Sequence, residues 1–368
     1  MKFTKKNIAL TAVNLVVIVA FCILTAVGGN MADGQSYNMA GERWKNNSRE
    51  NFSQTSIFLS EDSGFNTNTL NAVRSGLVKT LQDASFETED GKLPFADAYS
   101  TEIGSVNVRC DMSGRSDAEL TATGGDFFLF RDFRLIDGAF YSDDDIMKDG
   151  AVIDKSLAWS LYGSCEVSGM NIYIDGVKFY ISGVIENPQT KAEKKCTGSM
   201  PKIYISYRGM AELSALSADS QDTENNSKKI TCYETVLPDP VENFAYNAVK
   251  SQFSETYKEK YSSVKNSGRF SPQKRAKAFK KISEYAIIKN SIDYPYWENA
   301  SRLVEFKLSF IYFFRNIILA VPFLTLAYIM AKLVRPLRKL KNRVIRAVSI
   351  FKDRRRRDII NKFKKKSL

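Results

Sequence analysis

The stretch Asp149–Pro188, DGAVIDKSLAWSLYGSCEVSGMNIYIDGVKFYISGVIENP, decides how the rest of the chain reads. Ala151 to Ile153 is a short apolar strand and Asp154 a good helix N-cap. Lys155 to Tyr162 makes about two turns of helix, and Gly163 supplies the left-handed residue that ends them. Asp175-Gly176 is the pair a two-residue type I′ turn requires, because both central residues need positive φ. That turn sets Ile174 opposite Val177, Ile172 opposite Phe179 and Met170 opposite Ile181. One face of the ribbon is then wholly apolar, while Asn171, Tyr173, Lys178 and Tyr180 occupy the other. The ribbon is predicted to pack one side on a core and leave the other near water.

What flanks the ribbon fixes where that core lies. Asn7 to Gly28, NIALTAVNLVVIVAFCILTAVG, is apolar and long enough to cross a hydrocarbon core of roughly 30 Å. Lys2, Lys5 and Lys6 hold its start in the cytoplasm. A cleaved signal peptide is the rival reading, but the apolar run exceeds the ~7 to 15 residues of a signal core. A second span is expected at 308–331, apolar from Phe310 to Ala331, with Arg315 placed to snorkel or to pair between helices and Pro322 to kink it. Lys332, Arg335, Arg338, Lys339 and Lys341 follow at once, which puts this end in the cytoplasm too. The expected plan is a cytoplasmic start at 1–6, a span at 7–28, an extracytoplasmic body at 29–307, a span at 308–331 and a basic cytoplasmic tail at 332–368.

Charge follows the same plan. The chain carries a net +12, yet Lys332–Leu368 alone holds 16 Lys and Arg against Asp353 and Asp358, a local +14. With a further +3 from Lys2, Lys5 and Lys6, the body is left at −5. Nucleic acid is therefore a poor partner for the body. The tail, with Arg335, Arg338, Lys339 and the run Arg354, Arg355, Arg356 and Arg357, reads as a surface for anionic membrane lipids.

Within the body, Asn30 to Phe52 reads as a polar connector and Gln54 to Leu59 as a strand. Thr67 to Ala84 has Leu70, Val73, Leu77 and Leu81 on one helical face. Phe95 to Tyr99 and Ser105 to Asp111 are expected strands, Thr121 to Gly125 a turn, and Ser142 to Asp145 an acidic turn. Gln189 to Thr197 reads as a charged loop, Lys202 to Tyr207 as a strand, Met210 to Leu216 as a short helix and Ala218 to Lys229 as a loop. Thr231 to Leu237 is a further strand and Val241 to Tyr257 a helix. Lys258 to Lys281 is basic and without clear pattern, Glu284 to Lys289 a strand, and Pro295-Tyr296-Trp297 the start of a helix into the second span. Such a helix would carry movement of the body into the membrane.

No histidine is present, which excludes His-based triads, His general bases and His-containing metal sites. Asp143 to Asp145 lack the alternating ligands and the glycine of a calcium loop. Of the five cysteines, none has CxxC spacing. Cys196 and Cys232 each adjoin a predicted strand and are the candidate disulfide pair, with free buried thiols as the alternative. No catalytic, cofactor or metal residue is assigned, and no enzymatic activity is expected.

Gly138-Ala139-Phe140 with its acidic turn, then GAVIDKSLAWSLYG, a glycine before an apolar ribbon, and FYISGVIENP together resemble the extracytoplasmic core domain of MacB/FtsX-type ABC transporter permeases. The resemblance covers about residues 1 to 335. It implies an α+β fold: a membrane-anchored MacB-like periplasmic core domain, with a βαβ body and an inserted mainly-β subdomain at about 138–237, between two transmembrane helices. It also implies a cell-membrane transport subunit that couples the outside domain to a separate cytoplasmic ABC ATPase and joins a full permease subunit. The chain has no GxxxxGK[ST] loop, so nucleotide chemistry falls to a partner. Permeases of this type continue through a coupling helix into two further membrane helices. Here a basic tail stands in that place, so an accessory or half subunit is expected, its tail a coupling helix or a membrane-surface anchor. Val334-Arg335-Pro336-Leu337 with Leu340 and Val344 also resembles the start of a HAMP linker. The alternative function is therefore a two-helix sensor or receptor with an extracytoplasmic sensing domain.

Overall fold

The computed structural model describes residues 5–45, 51–86, 94–187, 190–210, 213, 229–285 and 292–366. The chain divides into two compact units, Gly28–Phe310, and Met1–Val27 with Ile311–Leu368. Helices α1 (Lys5–Asp33) and α2 (Ala40–Lys45) precede strand β1 (Phe52–Leu59) and helix α3 (Thr67–Asp83). Long strands β2 (Ala96–Cys110) and β3 (Arg115–Gly125) follow, then the single turn α4 (Phe127–Phe130) and strand β4 (Leu135–Gly138). The opening stretch supplies β5 (Gly150–Asp154), α5 (Lys155–Tyr162) and the hairpin β6 (Asn171–Ile174) and β7 (Val177–Ile185). After it come α6 (Lys191–Cys196), β8 (Lys202–Ser206), β9 (Cys232–Pro238), α7 (Phe244–Ser254), β10 (Tyr261–Lys265) and α8 (Pro272–Ala278). Helices α9 (Tyr296–Ile318) and α10 (Ala320–Lys366) complete the order.

In the unit Gly28–Phe310 all these strands join one sheet, in the order β10-β1-β9-β2-β3-β8-β5-β7-β4, with β6 bridging β2 and β7. Alternation along the strands divides the apolar side chains between its two faces. Ile57, Ile153, Ile203, Ile205 and Tyr233 share one cluster with the buried stripes Leu70, Val73, Leu77 and Leu81 of α3 and Ala245, Val249 and Phe253 of α7. Their neighbours Phe58, Val152, Tyr204 and Cys232 share the other with Tyr37, Phe127, Phe130, Tyr296 and Trp297. Burial on both faces explains why β1, β5, β8 and β9 are closed to solvent almost throughout.

The opening stretch folds as its residues dictate. The Asp154 side chain accepts from Leu157 N, Gly163 takes φ 68° and ends α5, and Asp175-Gly176 has φ 47° and 92°. Ile172 pairs with Phe179 and Ile174 with Val177. Ile172, Ile174, Phe179 and Ile181 are fully buried, while Met170 at the open end stays 42 % exposed.

Several expectations change. The two strands expected around Glu102 are one, bent by a bulge at Gly104, whose φ of 103° only glycine takes readily. Thr121–Gly125 is not a turn but the end of β3, held between β2 and β8. The described strands within 138–237 form no separate sheet, because β8 runs parallel to β3 and β6 pairs with β2 in the common sheet. The loop expected at Gln189–Thr197 contains α6, whose Thr190 and Glu193 form a reciprocal capping box. The unpatterned basic segment contains β10, paired with β1, and α8, which begins on Pro272. Glu284 and Tyr285 lie in a 3-10 turn rather than a strand, and residues 286–289 fall outside the described residues. Most of the expected helix at Met210–Leu216 and nearly all of the loop to Lys229 also fall outside them. The polar connector after the first span is ordered where described, with Gln35, Tyr37, Asn38 and Ala40 buried.

Among the described residues two helices, Ile8–Asp33 and Tyr296–Lys332, are long and apolar enough to cross a membrane. Thr325 Oγ1 donates to Asn14 Oδ1 at 2.9 Å, a bond between α1 and α10. The Arg315 guanidinium lies 5.3 Å from the Phe21 ring and 4.7 Å from that of Tyr312, so it stacks between helices. Helix geometry lapses at Leu319, three residues before Pro322, whose ring clashes with the preceding turn and whose nitrogen has no hydrogen to donate.

Candidate functional site

The sheet face that carries Phe58 and Cys232 also carries polar residues with no access to water. Strand parity puts Gln54 and Ser56 of β1 on that face, and β9 sets Glu234 directly opposite Ser56. Gln54, Ser56 and Glu234 are each at most 2 % exposed. Ser56 Oγ donates to Glu234 Oε1 at 2.7 Å and Gln54 Nε2 donates to the same oxygen at 3.3 Å. The other carboxylate oxygen meets the guanidinium of Arg131, which is also buried. Arg131 lies 4.2 Å from the Trp297 ring centroid, a cation-π contact sealed from solvent.

From Ser56 the polar contacts continue into a second cluster. Asn266 Nδ2 donates to Ser56 Oγ at 2.7 Å, and Asn266 Oδ1 accepts from Arg269 Nη1 at 3.2 Å. Arg269 grips Glu298 through both terminal nitrogens, at 2.7 and 2.8 Å, and reaches Glu305 at 3.0 Å. Arg275 binds the other oxygen of Glu305 at 2.7 Å, and Arg302 binds Glu298 at 2.7 Å. Burial pulls Arg269 down, but the carboxylates of Glu298 and Glu305 outweigh it and hold the guanidinium above its ordinary range. It is permanently charged.

The first turns of α9 and the residues just after α1 close the seam. Ser301 Oγ donates to Gln35 Oε1 at 3.0 Å, Tyr37 Oη donates to the same oxygen at 2.8 Å, and Asn38 Nδ2 donates to Ser301. Gln54 Oε1 accepts from Ala40 N at 2.8 Å. One bonded array thus joins β1, β9, the Asn266–Arg269 turn, α8, α9 and the segment Gln35–Ala40. Its one hydroxyl on a carboxylate, Ser56 on Glu234, is buried away from solvent, and four arginines face three carboxylates, Arg302 being the one about a third exposed. Its chemistry is mechanical: it fixes which face of α9 meets the sheet. The sequence signal for it is the stripe Glu298, Ser301, Arg302, Glu305 and Ser309, polar residues at helical spacing between Trp297, Ala300, Val304 and Leu308.

A smaller polar cleft, about 280 Å³, is lined by Asp154, Ser156, Asn187, Thr197 and Ser199 among others. Asp154 Oδ2 accepts from Lys202 N at 2.8 Å and from Asn187 Nδ2 at 3.0 Å. Burial nevertheless pushes this carboxyl up to about 6 from 3.8. A raised acid binds a proton more tightly folded than unfolded. Its stabilising contribution is therefore whole below about pH 4 and lost as pH rises through about 6. The melting temperature of the wild type relative to Asp154→Asn is expected to fall over that interval, which paired thermal melts at several pH values would show. Asp143 of the acidic turn has a structural task, accepting from Gly125 N at 2.6 Å and from Tyr99 Oη at 3.2 Å.

All five cysteines are free thiols. Cys232 lies buried in the cluster around Trp297, and Cys196 packs against the same cluster half-buried. Burial pushes the Cys232 thiol up to about 12. Arg335, Arg338 and Lys339 lie on the backbone of α10, outside the residues whose side chains are described, and Arg354, Arg355, Arg356 and Arg357 are exposed on it.

Residues 9–241 match the family model of the MacB-like periplasmic core domain. The chain belongs to this family: it is a membrane subunit of ABC transporter permease type, with an α+β extracytoplasmic core domain. Among solved structures it is similar to the extracellular domain of the noncanonic ABC-type transporter YknZ from Gram-positive bacteria. That match has 13 % identity and a TM-score of 0.39, over 57 % of this chain and 99 % of that one. It is similar too to the periplasmic region of MacB from Actinobacillus actinomycetemcomitans, at 14 % identity and a TM-score of 0.39, over 58 % of this chain and 89 % of that one. No curated protein matches the chain.

Proposed function

We propose that this subunit couples its extracytoplasmic domain to a separate cytoplasmic ABC ATPase, alongside a full permease subunit, with both of its own termini in the cytoplasm. The observation that carries the reading is the buried seam. The residues that follow the first apolar run, Gln35 to Ala40, and those that precede the second, Glu298 to Glu305, are bonded to each other and to the sheet. An element so tied cannot shift without disturbing the sheet it is tied to, which is what transmission requires. Family membership supports the ATPase partner, and the basic residues beside each apolar run support the orientation. Purification of the tagged chain from native membranes in mild detergent is the test. Recovery of an ABC ATPase with it is expected. Recovery of only kinases or other signalling proteins would overturn the reading in favour of a receptor.

A further inference from the structure

We infer that the part of α10 beyond Lys332 is an interfacial helix that lies on an anionic lipid bilayer. Val344, Val348 and Phe351 recur at four and three residues, the spacing of one helical face, and Ala347 falls beside them. The same register runs back through positions 340, 337 and 333, all leucine. Val344, Val348 and Phe351 are 54 %, 52 % and 70 % exposed, so among the described residues nothing covers this part of the stripe. Lys341 and Lys352 border it on one side and Arg343 and Arg354 on the other, Asn342, Arg346, Ser349 and Asp353 fall on the opposite face, Ile345 and Ile350 lie just beyond the bordering cations, and Arg355 ends the stripe.

That distribution selects the occupant. An apolar stripe edged by cations on both sides lets acyl chains take the stripe while the long basic side chains reach lipid phosphates. A second copy of this helix would bring a like charge of +14 against its own and be repelled. Nucleic acid would use the cations and leave Phe351 in water. The helix follows directly on the apolar run ending at Ala331, and Pro336, with no N–H for the preceding turn, is where it would have to bend to reach the surface of the bilayer that holds that run.

The test places an environment-sensitive fluorescent amino acid at position 351 by amber suppression in the full chain. The protein is reconstituted in phosphatidylcholine vesicles, with or without a minority of phosphatidylglycerol, each containing brominated acyl chains as quencher. Quenching is expected to be at least about fivefold stronger in the anionic vesicles. It should fall to the phosphatidylcholine value when Lys341, Arg343, Lys352 and Arg354 are all changed to Gln, and likewise in Val344→Asp/Val348→Asp. Equal quenching in the two vesicles would overturn the inference, as would a signal that responds to added RNA or to a second labelled copy but not to phosphatidylglycerol. None of these readouts depends on an ATPase, so the inference fails or stands apart from the proposed function.

Discussion

Glu298→Ala is expected to destabilise the extracytoplasmic domain by about 3–5 kcal/mol, because it removes one partner of a buried ion pair and leaves the other in place. The carboxylate accepts both terminal nitrogens of Arg269 and the Nε of Arg302. Arg302 is about a third exposed and can turn to water, but Arg269, at 3 % side-chain exposure, cannot. Glu305 still reaches one Arg269 nitrogen, yet it must also satisfy Arg275 at 2.7 Å. Arg269 is thus left short of countercharge in a site that solvent does not enter. A companion variant separates this cause from lost packing. Arg269→Met with Glu298→Leu removes both charges and keeps the volume, and should lie within about 2 kcal/mol of the wild type. Chemical denaturation of the full chain in detergent, followed by tryptophan fluorescence in a Trp44→Phe/Trp159→Phe background that leaves buried Trp297, measures both. Should the double variant prove less stable than Glu298→Ala, a buried unpaired charge would not be the cause of the loss.

The sequence disclosed elements whose two faces differ and obscured those whose faces are alike. The β6 and β7 hairpin was legible in its register because Asp175-Gly176 fixes the turn and apolar residues alternate with polar ones. Helix α3 was legible because one apolar stripe faces a cluster and the rest faces water. Strand β3 was not: its end, Thr-Ala-Thr-Gly-Gly, is small and polar, and it is buried because β2 and β8 pair with it on either side. That is a tertiary fact, and local propensity carries no trace of it. Strand β10, Tyr-Ser-Ser-Val-Lys, is half-buried throughout and exists through its pairing with β1.

The candidate site was hidden for a related reason. Charged residues are usually solvated, so Arg131, Glu234, Arg269 and Glu305 gave no sign of burial when taken singly. Glu234 sits between Cys232 and Val236 on one face of a strand with every residue buried, and only its partners on β1 and after β3 make that tolerable. Those partners lie 178 and 103 residues away in sequence. The polar stripe on α9 was the part open to inspection, since no solvated helix needs Ser301 and Ser309 in line with Trp297 and Leu308. The apolar runs expected at 7–28 and 308–331 fall on two helices, Ile8–Asp33 and Tyr296–Lys332, that meet the length hydrocarbon thickness sets.

Glu234→Gln separates charge from hydrogen bonding at the other end of the seam. Glutamine retains one oxygen, which can accept from Ser56 and Gln54 as Oε1 now does. Its amide must then face Arg131, donor against donor, with the Trp297 ring on the guanidinium's flank and both side chains buried. The cation-π contact contributes about 2 kcal/mol when desolvated, too little to replace a carboxylate. A loss of about 3–5 kcal/mol is therefore expected from a substitution that changes one heavy atom. Arg131→Met in the same background removes the stranded charge and keeps apolar contact with Trp297, so the double variant should be more stable than Glu234→Gln alone. If instead the two losses simply add, Arg131 and Glu234 do not act as a pair. Because Gln54 also holds Ala40 N, protection of that amide from hydrogen exchange is a second readout. It should fall in Glu234→Gln and recover with Arg131→Met, linking the middle of the sheet to the residues just past the first apolar run.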